Sequence, residues 1–483
     1  MWILMGLCIV AVLVIYVFHW IIILTDPKFR NRSSLPPGSM GFPFIGETLQ
    51  FMIPSYSLDI HPFITKRIQR FGSIFRTSLF GQPIVISTDS EFNSYLMQQE
   101  GKLVELWAGP ATKIFRQSDG FRIPFSNIHK YIRSITLNHI GAECIREKLI
   151  SQFEEMFIKT LHQWSTQTSI DVKQSITKMN FRFFAKHYFG YDIENLSSNF
   201  ERISEELFTD FTERLKTIPL NIPGTNYHKC LKEWRKAFKI IKNILEERRN
   251  SPEKYRGDFL DQAINDMEKD KIMNDDQIVY LVLGIWFANS ASISSMAQLI
   301  FKFLSEYPSV VEELRVEHEQ ILRSRDKSRT SSLTWNEYKS MKFTQHVMNE
   351  TLRFSILLPG ILRKTLKDIH FKEYIIPANW IILAFTPNLH MNSEIYEDPL
   401  TFNPWRWKEL DSFTVSKNFK PFGGGLTQCP GAELSRAFIA TFLHVLVTKY
   451  RWTKIKGGKV VRNPILEFSD RIHIKIWENR EKT

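Results

Sequence analysis

A single cysteine near the end of the chain lies in a glycine-rich segment whose residue types suit metal chemistry. The segment reads Pro421-Phe-Gly-Gly-Gly-Leu-Thr-Gln-Cys429-Pro-Gly-Ala-Glu-Leu434, and an apolar run continues from it to about Tyr450. Glycine adopts the left-handed backbone conformations that a tight loop under a flat ligand requires. A helix beginning just after Cys429 would present free N–H groups and a positive dipole end, which stabilise a thiolate. The segment therefore predicts a sulfur ligand for a metal, and a structural cysteine buried in a glycine loop is the alternative.

Two further motifs precede this loop, and both place charged residues where a helix or turn could bury them. In Glu350-Thr-Leu-Arg353 the acid and the base are three residues apart, so a helix would put them on one face. The second motif is Phe402-Asn-Pro-Trp-Arg406-Trp407. A lone E-x-x-R occurs by chance in most chains, but its order with the other two motifs is specific.

Together the three motifs resemble those of the cytochrome P-450 superfamily. The cysteine loop matches F-x-x-G-x-x-x-C-x-G at Phe422, Gly425, Cys429 and Gly431. The resemblance implies a mainly α fold with small β-sheets, the cytochrome P-450 fold. It also implies a haem b cofactor whose iron has Cys429 as its axial metal ligand, with Phe422, Gly425 and Gly431 shaping the loop. Glu350, Arg353 and Arg406 would form a buried, structural charge triad.

The same resemblance assigns the groups that hold the haem propionates. Superfamily members commonly carry W-x-x-x-R on an early helix, where this chain has His129 and Arg133 four residues apart. Arg133 and a second arginine, Arg363, are the expected propionate partners, and His129 is a further hydrogen-bond donor. The alternative for the first pair is an exposed helix face bearing two bases. The position two before the cysteine is usually Arg or His, but here it is Thr427, so one propionate cation is missing.

The helix expected to bind oxygen departs from the family pattern. Asn274-Asp-Asp-Gln277 resembles a capping box that opens a helix running to about Ser305. The family motif A/G-G-x-D/E-T-T/S aligns with Ala288-Asn289-Ser290-Ala291-Ser292-Ile293. The usual acid is Ala291, and Ser292 keeps a hydroxyl where the family has threonine. The predicted catalytic residues are therefore Ser292, with Asn289 or Ser290 ordering water.

Local patterns predict several other elements. Strands are expected at Ile74–Leu79 and Pro83–Thr88, and further short strands at Tyr374–Pro377 and Trp380–Leu383. The stretch from Leu103 to Phe125 lacks periodicity, which predicts a long loop that we assign to the substrate channel.

The beginning of the sequence predicts a membrane anchor. Residues 1–24 are almost wholly apolar, long enough to span a bilayer as a helix. Lys28, Arg30 and Arg32 follow at once, which places the rest of the protein on the cytosolic side. Residues 25–40 form a basic and proline-rich hinge, and residues 41–483 form the haem-binding catalytic domain. We expect a single-pass protein of the endoplasmic reticulum membrane.

Composition narrows the partners. The net charge is +12, which is compatible with nucleic acid, anionic lipid or an acidic protein. No nucleic-acid-binding module is evident, so the resemblance favours the membrane and an electron donor, NADPH–cytochrome P-450 reductase. The four cysteines are widely scattered and match neither a zinc site nor a disulfide framework.

Finer features resemble the plant clan that oxidises sterols, brassinosteroids and triterpenes, and cucurbitadienol oxidases in particular. They include Leu35-Pro-Pro-Gly-Ser-Met-Gly-Phe-Pro-Phe-Ile-Gly-Glu47 and the segment from His129 to His139. The resemblance implies a monooxygenase that hydroxylates a lipophilic steroid or triterpenoid. Cleavage of a C–C bond in the side chain of a sterol is a second possible reaction. A haem-thiolate isomerase or lyase that needs no dioxygen remains an alternative, as does a catalytically degenerate membrane haem or sterol binder.

Overall fold

The computed structural model describes residues 34–107, 125–190, 221–251, 257–270, 273–325, 332–355, 360–463 and 465–479, with a few positions between 10 and 18. Most of this described part is helical, and the strands are short, as predicted. The helices are α1 Thr48–Phe51, α2 Pro62–Phe71, α3 Ser90–Gln98, α4 Phe125–Ile140, α5 Ala142–Cys144, α6 Ile150–Ser165, α7 Val172–Phe189, α8 Asn226–Asn250, α9 Phe259–Asp270, α10 Asp275–Glu306, α11 Pro308–Ser324, α12 Trp335–Ser340, α13 Lys342–Phe354, α14 Pro387–His390, α15 Arg406–Glu409, α16 Ser412–Asn418 and α17 Ala432–Lys449. A π-helical turn, Ile145–Leu149, joins α5 to α6, and a 3₁₀ turn, Gly425–Thr427, lies in the cysteine loop.

The strands form one mixed sheet and three smaller sheets. They are β1 Ile74–Leu79, β2 Gln82–Ser87, β3 Val104–Leu106, β4 Ile170–Asp171, β5 Ile361–Thr365, β6 Ile369–Phe371, β7 Tyr374–Ile376, β8 Ile381–Ala384, β9 Tyr450–Lys456, β10 Val460–Asn463, β11 Ile465–Phe468 and β12 His473–Glu478. The mixed sheet has the order β1-β2-β8-β5-β3, and the smaller sheets are β4-β12-β9, β10-β11 and β6-β7. The four predicted strands are present within one or two residues of the expected bounds. The sequence missed β3, which lies inside the predicted channel loop.

The long helix α10 runs through the apolar core. Its first turn is closed by the predicted capping box, in which Asn274 and Gln277 bond to each other's backbone N–H groups. Trp286 of α10 stacks on Phe181 of α7 with ring centroids 4.0 Å apart. Among the described residues, α10 alone is long and apolar enough to cross a membrane, but half of its most apolar window is buried inside the protein. Such burial is typical of a core helix.

The helix α17, which follows the cysteine loop, packs against α6, α11 and α13. Its surface is apolar almost all round, and Leu434 and every residue from Ala437 to Val447 are buried. A helix with an apolar surface on every side can be stable only where neighbouring elements cover it. Because α17 is fixed in the core, the loop that precedes it has a fixed position as well.

The predicted membrane segment 1–24 lies almost wholly outside the described residues, as do residues 108–124 of the predicted channel loop. Part of the predicted hinge is described, and it is docked on the protein. Leu35 is buried, and the Arg76 N–H of β1 donates to the Pro37 carbonyl at 2.8 Å. The described part of the hinge is therefore fixed to the rest of the protein.

Candidate active site

The cysteine loop is a closed turn held by its own backbone and by the end of α3. The Cys429 N–H donates to the Phe422 carbonyl at 3.0 Å, which joins the two ends of the loop. Gly425 has a φ of +66°, and a Cβ there would lie 2.8 Å from the carbonyl oxygen of Met97. Any other side chain at position 425 would therefore clash with the backbone of α3. This explains in physical terms why the loop has glycine at this position.

The Cys429 side chain is accessible at the surface, although protein surrounds much of its thiol. Its side chain is exposed, although surrounding protein desolvates the thiol and raises its pKa. The Gly431 N–H and the charge of Arg133 act in the opposite direction. A Cβ at Gly431 would be 3.8 Å from Sγ, so glycine leaves that side of the sulfur open. The sequence predicts a thiolate stabilised by the helix N-terminus, and desolvation of the thiol acts against that effect.

Two arginines donate hydrogen bonds to the cysteine loop at the two residues before Cys429. Arg133 of α4 donates from Nη1 to the Gln428 carbonyl at 2.6 Å. Arg363 of β5 donates from Nη2 to the Thr427 hydroxyl, with 2.5 Å between the two atoms. Both predicted propionate partners therefore contact residues that are one or two positions before Cys429. The backbone of His129 is part of α4, but its side group lies outside the described residues.

Glu350, Arg353 and Arg406 form one ion-pair cluster beneath this region. Glu350 and Arg353, both on α13, have fully buried side chains and approach within 2.8 Å. Arg406 approaches the same carboxylate at 3.2 Å. Glu350 also accepts hydrogen bonds from the Trp407 indole N–H at 2.9 Å and the Asn403 N–H at 3.0 Å. The carboxylate is thus fully hydrogen-bonded, as a charge in the protein interior requires.

The structure separates the three predicted catalytic residues of α10. Ala288 is exposed in the middle of this otherwise buried helix, and Ser292, one turn later, is partly exposed. Ser290 is two residues from each, so it points to the opposite side of the helix, where it is completely buried. Asn289 donates to Asn180 of α7 at 3.4 Å. Of the three, only Ser292 shares the accessible side of Ala288.

Sequence reasoning missed Glu100, which lies in the turn between α3 and β3. Its carboxylate approaches the Arg363 guanidinium, with Oε2 2.5 Å from Nε. No spacing pattern could have found this pair, because its members are far apart in the sequence.

A long polar groove between α6 and α7 contains none of the predicted site residues.

The residues around Cys429 fit a haem. The sulfur is accessible, glycines at 425 and 431 keep bulk away from the loop, and two arginines stand beside it to meet carboxylates. Thiolate ligation of haem iron favours cleavage of the O–O bond of dioxygen. Arginine is the residue best suited to bind a propionate through two parallel hydrogen bonds.

Comparisons with known proteins lead to the same class. The sequence profile described as cytochrome P-450 matches residues 36–471. The protein is 46% identical over 477 residues to the cucurbitadienol 11-hydroxylase of Siraitia grosvenorii, covering 98% of this chain and 99% of that protein. It is 44% identical over 486 residues to the beta-amyrin 16-alpha-hydroxylase CYP87D16 of Maesa lanceolata, covering all of both proteins. The solved structure of retinoic-acid-bound cyanobacterial CYP120A1 superposes with a TM-score of 0.78 at 21% identity, covering 92% of this chain and 100% of that structure.

The chain belongs to the cytochrome P-450 family. The predicted fold and the predicted class of enzyme, a monooxygenase with a haem-iron cofactor, are confirmed. Like other members it takes electrons from a redox partner and acts on a lipophilic substrate. The resemblance to plant triterpenoid and sterol hydroxylases is confirmed as well.

Proposed function

We propose that this protein hydroxylates a triterpenoid or sterol, using haem b and electrons that NADPH–cytochrome P-450 reductase supplies. The observation that carries the proposal is identity above 40% along the whole sequence with two hydroxylases named for triterpenoids. The proposal assigns Cys429 as the iron ligand and Arg133 and Arg363 as propionate partners. The position of both arginines beside the cysteine loop supports that assignment.

The experiment is turnover in a membrane reconstituted with the reductase, NADPH and a panel of cucurbitadienol, beta-amyrin and cholesterol. We expect a product that carries one added oxygen atom and that forms only with both NADPH and dioxygen present. Conversion without NADPH would identify an isomerase or lyase instead. Tight binding of a sterol without any conversion across the panel would identify a degenerate binder.

Ser292 is our candidate for the residue that passes protons to the oxygen site. It shares the accessible side of α10 with Ala288 and Ala291, and its hydroxyl both donates and accepts hydrogen bonds. Between Asp276 and Glu306 the helix contains no acid. The Ala291 carbonyl accepts a hydrogen bond from the Ser294 hydroxyl at 3.3 Å. Because position 291 supplies no carboxyl group, our proposal takes the protons through Ser292 and water.

Ala291→Asp is expected to increase the amount of product formed per NADPH consumed and to decrease the release of hydrogen peroxide. A positioned general acid is typically worth about 10²–10⁴-fold in a proton-transfer step, so a carboxyl group on this side of the helix should change the ratio visibly. Ala291→Asn, which has nearly the same shape without the acidity, serves as the control. If the wild type is already fully coupled and Asp gives no gain, the proton route does not depend on position 291.

We also propose that the protein is anchored in the endoplasmic reticulum membrane by residues 1–24. A cluster of exposed apolar side chains, here called the apolar face, supports this. It lies shortly after the predicted anchor, where Gly46 pairs with Leu79 and the Phe80 N–H donates to Thr48. Its members are between 49% and 67% exposed: Phe42, Phe44, Ile45, Leu49, Ile53 and Phe80. A group of exposed apolar side chains that follows a membrane anchor in the sequence fits burial in the same membrane.

The full-length protein is expected to stay in the membrane pellet after alkaline carbonate extraction. A variant lacking residues 1–33 should still float weakly with liposomes, because the apolar face remains. Phe44→Ser with Phe80→Ser should abolish that residual flotation, since both side chains are more than half exposed. Phe413→Ser is the control, because Phe413 is 74% exposed but lies outside the apolar face. Release of the full-length protein by carbonate would contradict the anchor, and equal flotation of all variants would contradict the role of the face.

A further inference from the structure

The buried arginine beside the cysteine loop already has an acidic partner inside the protein. The side chains of Arg363 and Glu100 are 2% and 4% exposed, with 2.5 Å between Nε and Oε2. The two groups form a charged pair in the protein interior, in which Arg363 stabilises the Glu100 carboxylate. Burial raises the pKa of Glu100, and the charge and hydrogen bonding of Arg363 offset only part of that rise.

The fold fixes this contact through the sheet. Strand β3 pairs with β5 so that Leu106 lies opposite Arg363. The turn before β3 is closed by a hydrogen bond from the Gly101 N–H to the Val104 carbonyl at 2.7 Å. Met97, just before this turn, touches the cysteine loop at Gly425. The turn that bears Glu100 is therefore held against both Arg363 and the loop of Cys429.

The Arg363 guanidinium is held in one orientation from three directions. Its Nε faces Glu100, its Nη1 donates to the Leu362 carbonyl at 3.0 Å, and its Nη2 donates to Thr427. A guanidinium is a rigid planar fork, so these contacts also fix the direction of its remaining N–H groups. With Glu100 ionised, the cluster of Glu100, Arg363 and Thr427 has no net charge.

We propose that Glu100 is a positioning residue for the haem, which orients Arg363 toward a propionate and at the same time offsets its positive charge. The proposal rests on the haem-binding role given to Arg363 above. It follows that Arg363 contributes direction more than net attraction, and that Arg133 supplies the larger share of the charge. It also follows that a negative charge near the haem favours the ferric over the ferrous state.

According to the proposal, the charge of Glu100 weakens haem retention, whereas its oxygen atoms strengthen it by orienting Arg363. Variants at position 100 can separate these two effects. Glu100→Gln keeps an oxygen that can accept a hydrogen bond from the Arg363 guanidinium, but it removes the negative charge. We expect haem transfer to an acceptor apoprotein to slow on the order of tenfold, because the guanidinium then acts on the propionate uncompensated. The midpoint potential of the haem should become more positive. Glu100→Ala, which removes the acceptor as well, should lose haem faster than Glu100→Gln while shifting the potential in the same direction.

Two matched variants complete the test. Glu105→Gln removes the same charge from β3, where residue 105 pairs with Lys364 rather than with Arg363, and should leave both readouts close to the wild type. Glu100→Asp keeps the charge and should retain the wild-type potential. The proposal is overturned if Glu100→Gln loses haem at least as fast as the wild type with an unchanged potential. Failure of the haem-thiolate assignment itself would appear in the wild type, as absence of the thiolate-type Soret band with carbon monoxide.

Discussion

Cys429→Ser is expected to abolish both the red-shifted Soret band of the reduced protein with carbon monoxide and all reductase-supported turnover. Only a thiolate ligand produces that band, and serine supplies an oxygen in its place. Desolvation by the surrounding protein raises the pKa of the Cys429 thiol and so favours its protonated form before the metal binds. A metal ion that binds the sulfur displaces its proton. We therefore expect haem loading of the apoprotein to release protons, in an amount that depends on pH.

The controls for this variant are the other described cysteines. Cys144 is half-buried and Cys230 is buried, and neither lies in the cysteine loop. Cys144→Ser and Cys230→Ser should keep the Soret band and the turnover, although Cys230→Ser should lower stability because it puts a hydroxyl in the core. A wild-type spectrum from Cys429→Ser would contradict the assignment of the axial ligand.

Glu350→Ala is expected to leave very little haem-loaded protein, at a cost of about 3–5 kcal/mol in folding free energy. Glu350 and Arg353 are fully buried, so removal of the carboxylate leaves a charge in the core without its ion partner. Arg353 would keep only uncharged acceptors, namely the carbonyls of His390 at 3.0 Å, Pro399 at 2.7 Å and Thr401 at 3.4 Å and the Met391 sulfur at 3.5 Å. The Trp407 indole and the Asn403 N–H would lose their acceptor in the same step.

Thermal unfolding and the yield of haem-loaded protein measure this effect, and two variants calibrate it. Glu350→Gln keeps an acceptor for Trp407 and loses only the charge, so it should fall between the wild type and Glu350→Ala. Glu312→Ala breaks the ion pair with Arg315 on the surface of α11, where Glu312 is 68% exposed. Surface pairs of this kind contribute about 0–1 kcal/mol. Equal stability of Glu350→Ala and Glu312→Ala would show that the buried cluster does not stabilise the fold.

Local signals in the sequence sufficed for most of the architecture. The capping box at Asn274 involves residues only three apart, so this helix start could be read directly and lies where it was predicted. Strand β1 was predicted from its own residue pattern. Strand β3 was missed, because three residues in an aperiodic stretch become a strand only by pairing with β5.

Contacts between distant segments account for what could not be predicted. The pairing of Glu100 with Arg363 depends on the register of β3 against β5, which no local pattern specifies. The separation of Ser290 from Ser292 follows from the helical period, but which side is buried depends on the packing of α10 against its neighbours.

The sequence by itself determined the family and the residues of the buried charge cluster, because short motifs at fixed spacing carry that information; the same motifs predict Cys429 as the sulfur ligand. The tertiary structure alone decided the electrostatic environment of these groups. Desolvation of Cys429 depends on how much protein surrounds it, and that amount is set by segments distant in the sequence. The net charge beside the cysteine loop is set in the same way, since Glu100 reaches Arg363 only when the sheet has formed. Burial and long-range pairing are properties of the folded protein as a whole, so they become known only from the structure.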